Sequence, residues 1–496
     1  MGKIYAQKIN DFSKGITNDV RKKDSRYAQM IKSFDAHTYT HKLEPFRSSE
    51  SADTIPDTRK AVNFLYANSR LYALGVVSGT SRAEINYKDT ADIGGTGWTS
   101  PSNGQSSAGS RNENFFIEYK NYIYGARAGT TLWRHGDITG SPTWSDSWQS
   151  LTHTNMEQGL VHSKDDILYI PYDNKIAKWD NTTFTSAALT LPTDRRITSI
   201  CEYGNYLAIA TKPLSGVGKS VVYLWDRDST ILTTISESII WGDEDLKVLE
   251  VIDGILIGIS IKTSSAGNST FKKEIIFRYL SGSIPIVFQR LIADVSTTLT
   301  LDTAKQKVGS YLYFLLLITI DGVRQAGVWK VGKSASGAFS VTLDNVPNND
   351  TGVTSSVTLE GFFIIGSFVF IAYIDTTSEL TSTNDVETYS VSATYESLKF
   401  GEATQNKKLI SVGVTTEYLP SGGQIILKYK KDSETTWTTI FTHTTANSLF
   451  HEAVNIESSG ANLPTFREIQ FQILSTGGAV ITGLIFKYEE IADGLT

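Results

Sequence analysis

Cysteine is almost absent: Cys201 stands alone in the chain, beside only three methionines. A disulfide framework and a cysteine-based metal site are thereby excluded. Cys201 lies in an apolar segment and reads as a small buried hydrophobe rather than a reactive thiol. Heptads and long stretches of helical apolar period are missing as well, which argues against a helical fold. No basic stripe is present; 46 Lys and Arg against 52 Asp and Glu give a formal charge of −6. The chain therefore lacks the footprint of a protein that grips phosphates. Its longest apolar run, YLYFLLLITI from Tyr311 to Ile320, is about half a membrane span and reads as a strand buried on both faces. The opening MGKIYAQKINDF has no basic-then-apolar signal layout, and Ala6 stands where a myristoylation motif wants Ser or Thr. The expectation is a soluble protein made in a reducing cytoplasm.

What is abundant is aromatic: 23 Tyr, 22 Phe and 9 Trp, in a background of Ser and Thr. Such side chains favour strands, because they pack well on a pleated surface. A short phrase then recurs, a small turn followed by an apolar strand. It appears as NSRLYALG (Leu71), YKNYIYGA (Ile123), KDDILYIP (Ile167), YGNYLAIA (Leu207), IDGILIGI (Ile255), VGSYLYFL (Leu312) and IGSFVFIA (Val369). The spacings of 40 to 57 residues lie in the range of β-propeller blades.

Each phrase is followed by a hairpin loop and a strand carrying an aromatic residue: Tyr87, Trp133, Trp179, Trp225, Tyr279, Trp329 and Tyr389. Four strands per unit, seven units and no covering helix predict an all-β chain built on a seven-bladed propeller, whose blades cover one another's apolar faces. Trp179-Asp180 and Trp225-Asp226 are Trp-Asp pairs, but the Gly-His partner of that repeat class is absent. Blade loops vary from YDNK to KTSSAGNSTFKKE, and variable tips on a repeated core mark a rim that meets something.

The repeat stops near Ser397–Lys408, and alternating segments such as LISVGVTTEYL, GQIILKYKKD and VITGLIFKYEE follow. They predict a jelly-roll-like β-sandwich. The expected division is an extended N-terminal arm over residues 1–60, the propeller over 61–403 and the sandwich over 404–496. An arm so rich in turn residues either packs outside the propeller or orders against a partner; its apolar side chains Phe12, Ile16, Phe34 and Phe46 are the candidate contacts.

Two stretches carry a resemblance. NDFSKGITNDVR with FDAHTYTHKLEPFRS at one end, and KKLISVGVTTEYLPSGGQIILKYKKDSETTWTTI at the other, resemble virion structural proteins of tailed bacteriophages. The resemblance implies a tail nozzle, hub or adaptor, made in the host cytoplasm and resident in the virion. Such a part acts by assembly, as a ring or docked on one, with other tail or portal-proximal proteins, and DNA passes it without specific binding. It carries no functional residue across and implies no enzyme, cofactor or membrane insertion.

Candidate chemistry is sparse. TADIGGTGWT (Thr90–Thr99) is one residue too long for an Asp-box, and SGVGKS (Ser215–Ser220) is too short for a P-loop. His37 and His41 in HTYTH would align on a helix, but the alternating residues between them indicate extended chain, where chelation is awkward. Asp243, Glu244 and Asp245 read as a solvated blade connection. No carboxylate pair of a glycoside hydrolase can be picked out. The alternative to the tail component is a propeller that binds or cleaves a host-surface glycan, with Trp144 and Trp148 in GSPTWSDSW stacking on sugars.

Overall fold

The computed structural model describes residues 3–18, 24–53, 58–77, 83–89, 98–99, 111–127, 129–137, 143–215, 218–228, 237–266, 270–295, 297–347, 357–375, 378–389, 392–402, 404–454 and 463–491. Every regular element among them is a strand. They fall into two compact units, Glu50–Val328 with Pro347–Asn384, and Met1–Ser49 with Trp329–Val346 and Asp385–Thr496. These limits differ from those read in the sequence, since the first 49 residues share a unit with the C-terminal strands.

The first unit is a propeller. Its sheets follow one another in chain order, each an antiparallel meander. Blade 1 comprises Thr58–Ala67, Arg70–Val77 and Ala83–Asp89; blade 2 runs through Arg111–Tyr119, Tyr122–Arg127, Thr131–Asp137 and Trp144–Ser150. Blade 3 is Leu160–His162, Ile167–Tyr172, Lys175–Trp179 and Phe184–Thr190; blade 4 is Arg195–Tyr203, Tyr206–Pro213, Ser220–Trp225 and Glu237–Gly242. Blade 5 takes Asp245–Ile252, Ile255–Ala266, Thr270–Ser281 and Ile284–Ile292. Blade 6 takes Thr300–Val308, Tyr311–Ile320 and Val323–Lys333, and the chain leaves the unit within that last strand. Blade 7 is Thr358–Ile365, Phe368–Asp375 and Ser378–Tyr389, with Arg47–Asp53 added on the outside.

The first strands stand side by side. Thr58–Ala67 packs by Arg111–Tyr119, Arg195–Tyr203 by Asp245–Ile252, that strand by Thr300–Val308, and Thr358–Ile365 returns to Thr58–Ala67, closing the ring. Arg47–Asp53 precedes blade 1 in sequence yet completes blade 7, so the ring is stitched where its ends meet. Closure covers the apolar face of every blade, as the repeat requires.

The recurring phrase is a hairpin turn. In blades 1, 2 and 5 the two loop residues both have positive φ: Asn68 and Ser69, Lys120 and Asn121, Asp253 and Gly254. In blades 4, 6 and 7 a glycine at positive φ leads, namely Gly204, Gly309 and Gly366, and a residue at negative φ follows. These are the I′ and II′ patterns, whose twist matches that of the strands they join. At Gly309 φ is +58° and no atom lies within 4 Å of an added Cβ. Gly309→Val therefore meets only backbone strain, and a loss of about 1–2 kcal/mol is expected in urea unfolding; an unchanged midpoint would refute the turn assignment.

The second unit is a sandwich. One sheet runs in the order Ile4–Ile9, Ile481–Glu490, Lys407–Thr416, Phe450–Val454, with Thr465–Phe466 also on the third strand. The other contains Phe339–Asn345, Ala28–Lys32, Ala393–Ser397, Glu468–Thr476, Gln424–Lys431 and Thr438–His443, in that order. Phe471 of the second sheet meets Phe486 of the first at 5.0 Å between ring centroids, which marks the shared core.

The N-terminal stretch is thus sandwich, not arm. Ile4–Ile9 pairs with Leu484–Glu489, and Ala28–Lys32 pairs with Thr394–Ser397. Phe12, Ile16 and Phe34 are fully buried; Phe12 packs edge-on against Tyr395, 5.3 Å away. These three expected contact residues are core side chains.

Candidate functional site

Inside the propeller, the inner strands share an irregularity. Pairing with the second strand slips at nearly the same level of each blade. Thr198 is the extra residue in blade 4, Lys247 in blade 5, Asp302–Ala304 in blade 6 and Glu360 in blade 7. Blade 1 slips at Val62 and blade 2 between Asn112 and Phe116. In blade 3 the ladder breaks over Glu157–Gly159, between the Met156–Tyr172 bridge and the Leu160–Tyr169 pair. A bulge frees one residue from the ladder and re-aims its side chain, which is why bulges gather beside functional sites. Repeated around a closed ring, the bulges gather polar groups along the axis.

Side chains then staple neighbouring inner strands. Gln158 donates to the Phe116 carbonyl at 3.0 Å, and Thr198 donates to the Leu246 carbonyl at 2.7 Å. Gln306 both donates to and accepts from the backbone of Ile364, at 2.7 Å each way. Lys305 pairs with Glu250 at 2.9 Å and donates to the carbonyls of Ile200 and Leu249.

One polar group on this axis is a buried carboxyl. Glu157 accepts from the Asn155 amide at 2.9 Å, and Asn155 is in turn contacted by Arg196. Burial pushes the Glu157 carboxyl upward, against the pull of Asn155, Thr303, Arg196 and Lys247. Burial, with the Lys212 cation, pushes the Lys247 ammonium downward against Asp245 and Glu157. Each carries its charge less readily than it would in water.

Beside these staples lies a cavity of about 160 Å³. Asn63, Gln158, Asp302, Thr303, Lys305, Gln306 and Glu360 supply its polar lining, and Phe64, Phe116, Phe362 and Phe363 much of the rest. Asp302 is fixed by an Asx turn, accepting from the Ala304 N–H at 2.8 Å. None of these residues was singled out from the sequence. Their signal is a polar residue such as Glu360 inside an otherwise apolar inner strand.

The residues that were singled out lie elsewhere. Trp144 packs on Trp133 at 4.6 Å and on His135 at 5.1 Å. Trp148 meets Tyr124 at 4.8 Å, Trp179 at 5.0 Å and Phe184 at 5.8 Å, joining blades 2 and 3. Both are half-buried blade packing. Phe46 is half-buried in the sandwich unit, 5.3 Å from the Lys330 ammonium. His37 is buried against the Ser340 hydroxyl at 2.8 Å, while His41 meets the Tyr39 ring. Cys201 is buried among apolar neighbours, which push its thiol well above the usual range. Glu244 is buried and paired with Arg278 rather than solvated, a correction to the sequence reading of that connection. Residues 90–97 of TADIGGTGWT, and Gly216 and Val217 of SGVGKS, lie outside the described residues.

No protein-family model matches the chain, and no curated protein sequence is similar to it. Among solved structures, the N-terminal domain of Nup159 is similar at 8% identity, over 72% of this chain and 99% of that one, with a TM-score of 0.43. The WD40 β-propeller domain of Doa1 is similar at 9%, over 69% and 98%, with a TM-score of 0.42. An exo-β-1,3-galactanase from Phanerochaete chrysosporium is similar at 11%, over 89% and 100%, with a TM-score of 0.32. The assignment of the propeller rests on the strand order and ring closure described above.

Proposed function

We propose that the chain is a structural component of a bacteriophage tail, a nozzle, hub or adaptor that works by assembly with further copies of itself and with neighbouring tail proteins. The observation that supports assembly is the sandwich's five-stranded sheet. Its outer strands, Ile4–Ile9 and Phe450–Val454, each have a ladder partner on one side alone among the described residues. An open edge is a template for another strand, and soluble proteins usually blunt it.

Here the edge at Phe450–Val454 is flanked by exposed apolar side chains: Tyr418, Leu449, Phe450 and Val454. It carries Glu452, and the opposite edge carries Lys8. The two edges belong to one sheet and differ in charge, so copies joined edge to edge would continue the sheet head to tail. Head-to-tail contacts close into rings when the rotation permits. The tail itself is suggested by the N-terminal and C-terminal phrases, and the charge of −6 suits a passage to which DNA must not adhere.

Light scattering with negative-stain imaging of the purified chain tests this. Rings of defined symmetry are expected, and the pair Phe450→Lys and Val454→Lys, both at exposed positions, should release monomers without lowering the melting temperature. A wild-type protein that stays monomeric at high concentration would defeat self-assembly, and rings that survive both lysines would defeat the edge as the contact.

A further inference from the structure

We propose that the side chains of Lys330 and Asp344 join covalently once the chain has folded, the lysine amine forming an amide with the aspartate carboxyl and releasing one water. This goes beyond assembly and does not depend on it. The two residues lie on adjacent strands, Val323–Lys333 and Phe339–Asn345, and both are buried. Lys330 Nζ is 2.9 Å from Asp344 Oδ2 and 3.6 Å from Asp35 Oδ1. The Thr342 hydroxyl donates to the other Asp344 oxygen, Oδ1, at 2.6 Å. A buried ion pair gains little by itself, because the cost of desolvating both charges offsets their attraction. Burial favours the uncharged forms instead, and a neutral amine held against a neutral carboxylic acid is a nucleophile held against its electrophile.

The two carboxyls beside Lys330 are pushed apart, which separates their roles. Burial raises the Asp344 carboxyl, against Lys330 and Thr342. Asp35 stays low despite its burial, held there by Lys330, the Thr38 hydroxyl and the His37 and Thr38 N–H groups. In the reaction one ammonium proton passes from Nζ to Asp344 Oδ2, and the free amine attacks Cγ. Asp35 takes a second proton from nitrogen and returns it to Oδ2. The Cγ–Oδ2 bond then breaks, water leaves, and the third proton stays on the amide nitrogen. Oδ1 becomes the amide carbonyl, and the Thr342 hydroxyl is already placed to stabilise the charge that develops on it. No outside reagent is needed. The amide discharges both partners and leaves burial as what keeps His37 neutral. Lys330 and Asp344 stand near the two ends of Trp329–Val346, the segment that the sandwich unit takes from between two propeller segments. The bond would close that segment at its base, so a pull along the chain would meet a covalent tie before it reached the hairpin.

Intact-mass spectrometry of the purified full chain, denatured after folding, tests this. The wild type should be lighter than its sequence by one water, and its tryptic digest should contain a branched peptide joining Lys330 to Asp344. Lys330→Arg keeps the cation and should show its full mass. Asp35→Asn should close about a hundredfold more slowly, followed as mass against time of incubation. A wild-type protein at full mass would overturn the proposal, as would a water loss that maps to other residues or persists in Lys330→Arg. Closure of Asp35→Asn at the wild-type rate would overturn the part given to Asp35.

Discussion

Replacing Trp225 by alanine is expected to cost about 3–5 kcal/mol, the range for removing a large aromatic side chain from a packed core. Trp225 is fully buried. Its ring meets Tyr169 edge-on at 5.7 Å and lies in a cluster with Ile176, Leu189, Leu207 and Ile209, drawn from blades 3 and 4. The cluster joins consecutive blades, so the cavity left by alanine would open a seam of the ring. Neighbouring blades cannot collapse into that space without moving their own ladders. Set against a typical stability of about 5–15 kcal/mol, a large part of the unit's margin would be lost. Urea unfolding gives the measurement, and Trp148→Ala is the comparison, since Trp148 is only half-buried and should cost less. A Trp225→Ala midpoint within about 1 kcal/mol of wild type would mean that this seam does not depend on its aromatic anchor.

The same tryptophan shows why the propeller was legible. Trp133, Trp179 and Trp225 recur at the third strand of successive blades, and each blade must bury that strand against its neighbour. Turns were legible for a stricter reason: two-residue hairpins demand positive φ, and few residues supply it. Gly204, Gly309 and Gly366, each set between apolar runs, therefore mark turns by residue type alone.

The sandwich was only half legible. Its C-terminal strands alternate over eight to ten residues, as at Gln424–Lys431 and Ile481–Glu490. The N-terminal strands Ala28–Lys32 and Phe34–Asp35 have five and two residues, too short for a period to emerge. What buries the first of them is pairing with Thr394–Ser397, several hundred residues away. No local pattern reports such a partner. The polar groups of the inner strands were illegible for another reason. In LKVLEVI, Lys247 and Glu250 look like ordinary polar positions, and the slip between Leu246 and Val248 that re-aims Lys247 exists only in the ladder.

The remaining large effect concerns pH. The sandwich unit is expected to lose about 4 kcal/mol of stability as pH falls from 6.5 towards 3, through His37 alone. Burial, and then the Lys330 cation, push the His37 imidazole down to about 3, against the Ser340 carbonyl and Asp35. The sign follows from proton uptake. Between these values the unfolded chain takes a proton on this histidine and the folded one does not, so acid favours unfolding. Above pH 6.5 neither state is charged there, and the contribution is complete. The groups around it separate cleanly. Asp35 is lowered because Lys330, the Thr38 hydroxyl and the His37 and Thr38 N–H groups outweigh its burial; it costs stability only below the usual carboxylate range. Asp344, 2.9 Å from Lys330, is raised by burial against Lys330 and Thr342. A raised carboxyl takes up its proton earlier in the folded state, so Asp344 works in the opposite direction as pH falls. His37→Gln isolates the histidine, since glutamine can still bond Ser340 and cannot take up a proton. As pH falls from 6.5 to 4, the urea midpoint of the wild type should drop steadily relative to that of the variant. Parallel curves over that range would show that His37 does not couple this unit to pH.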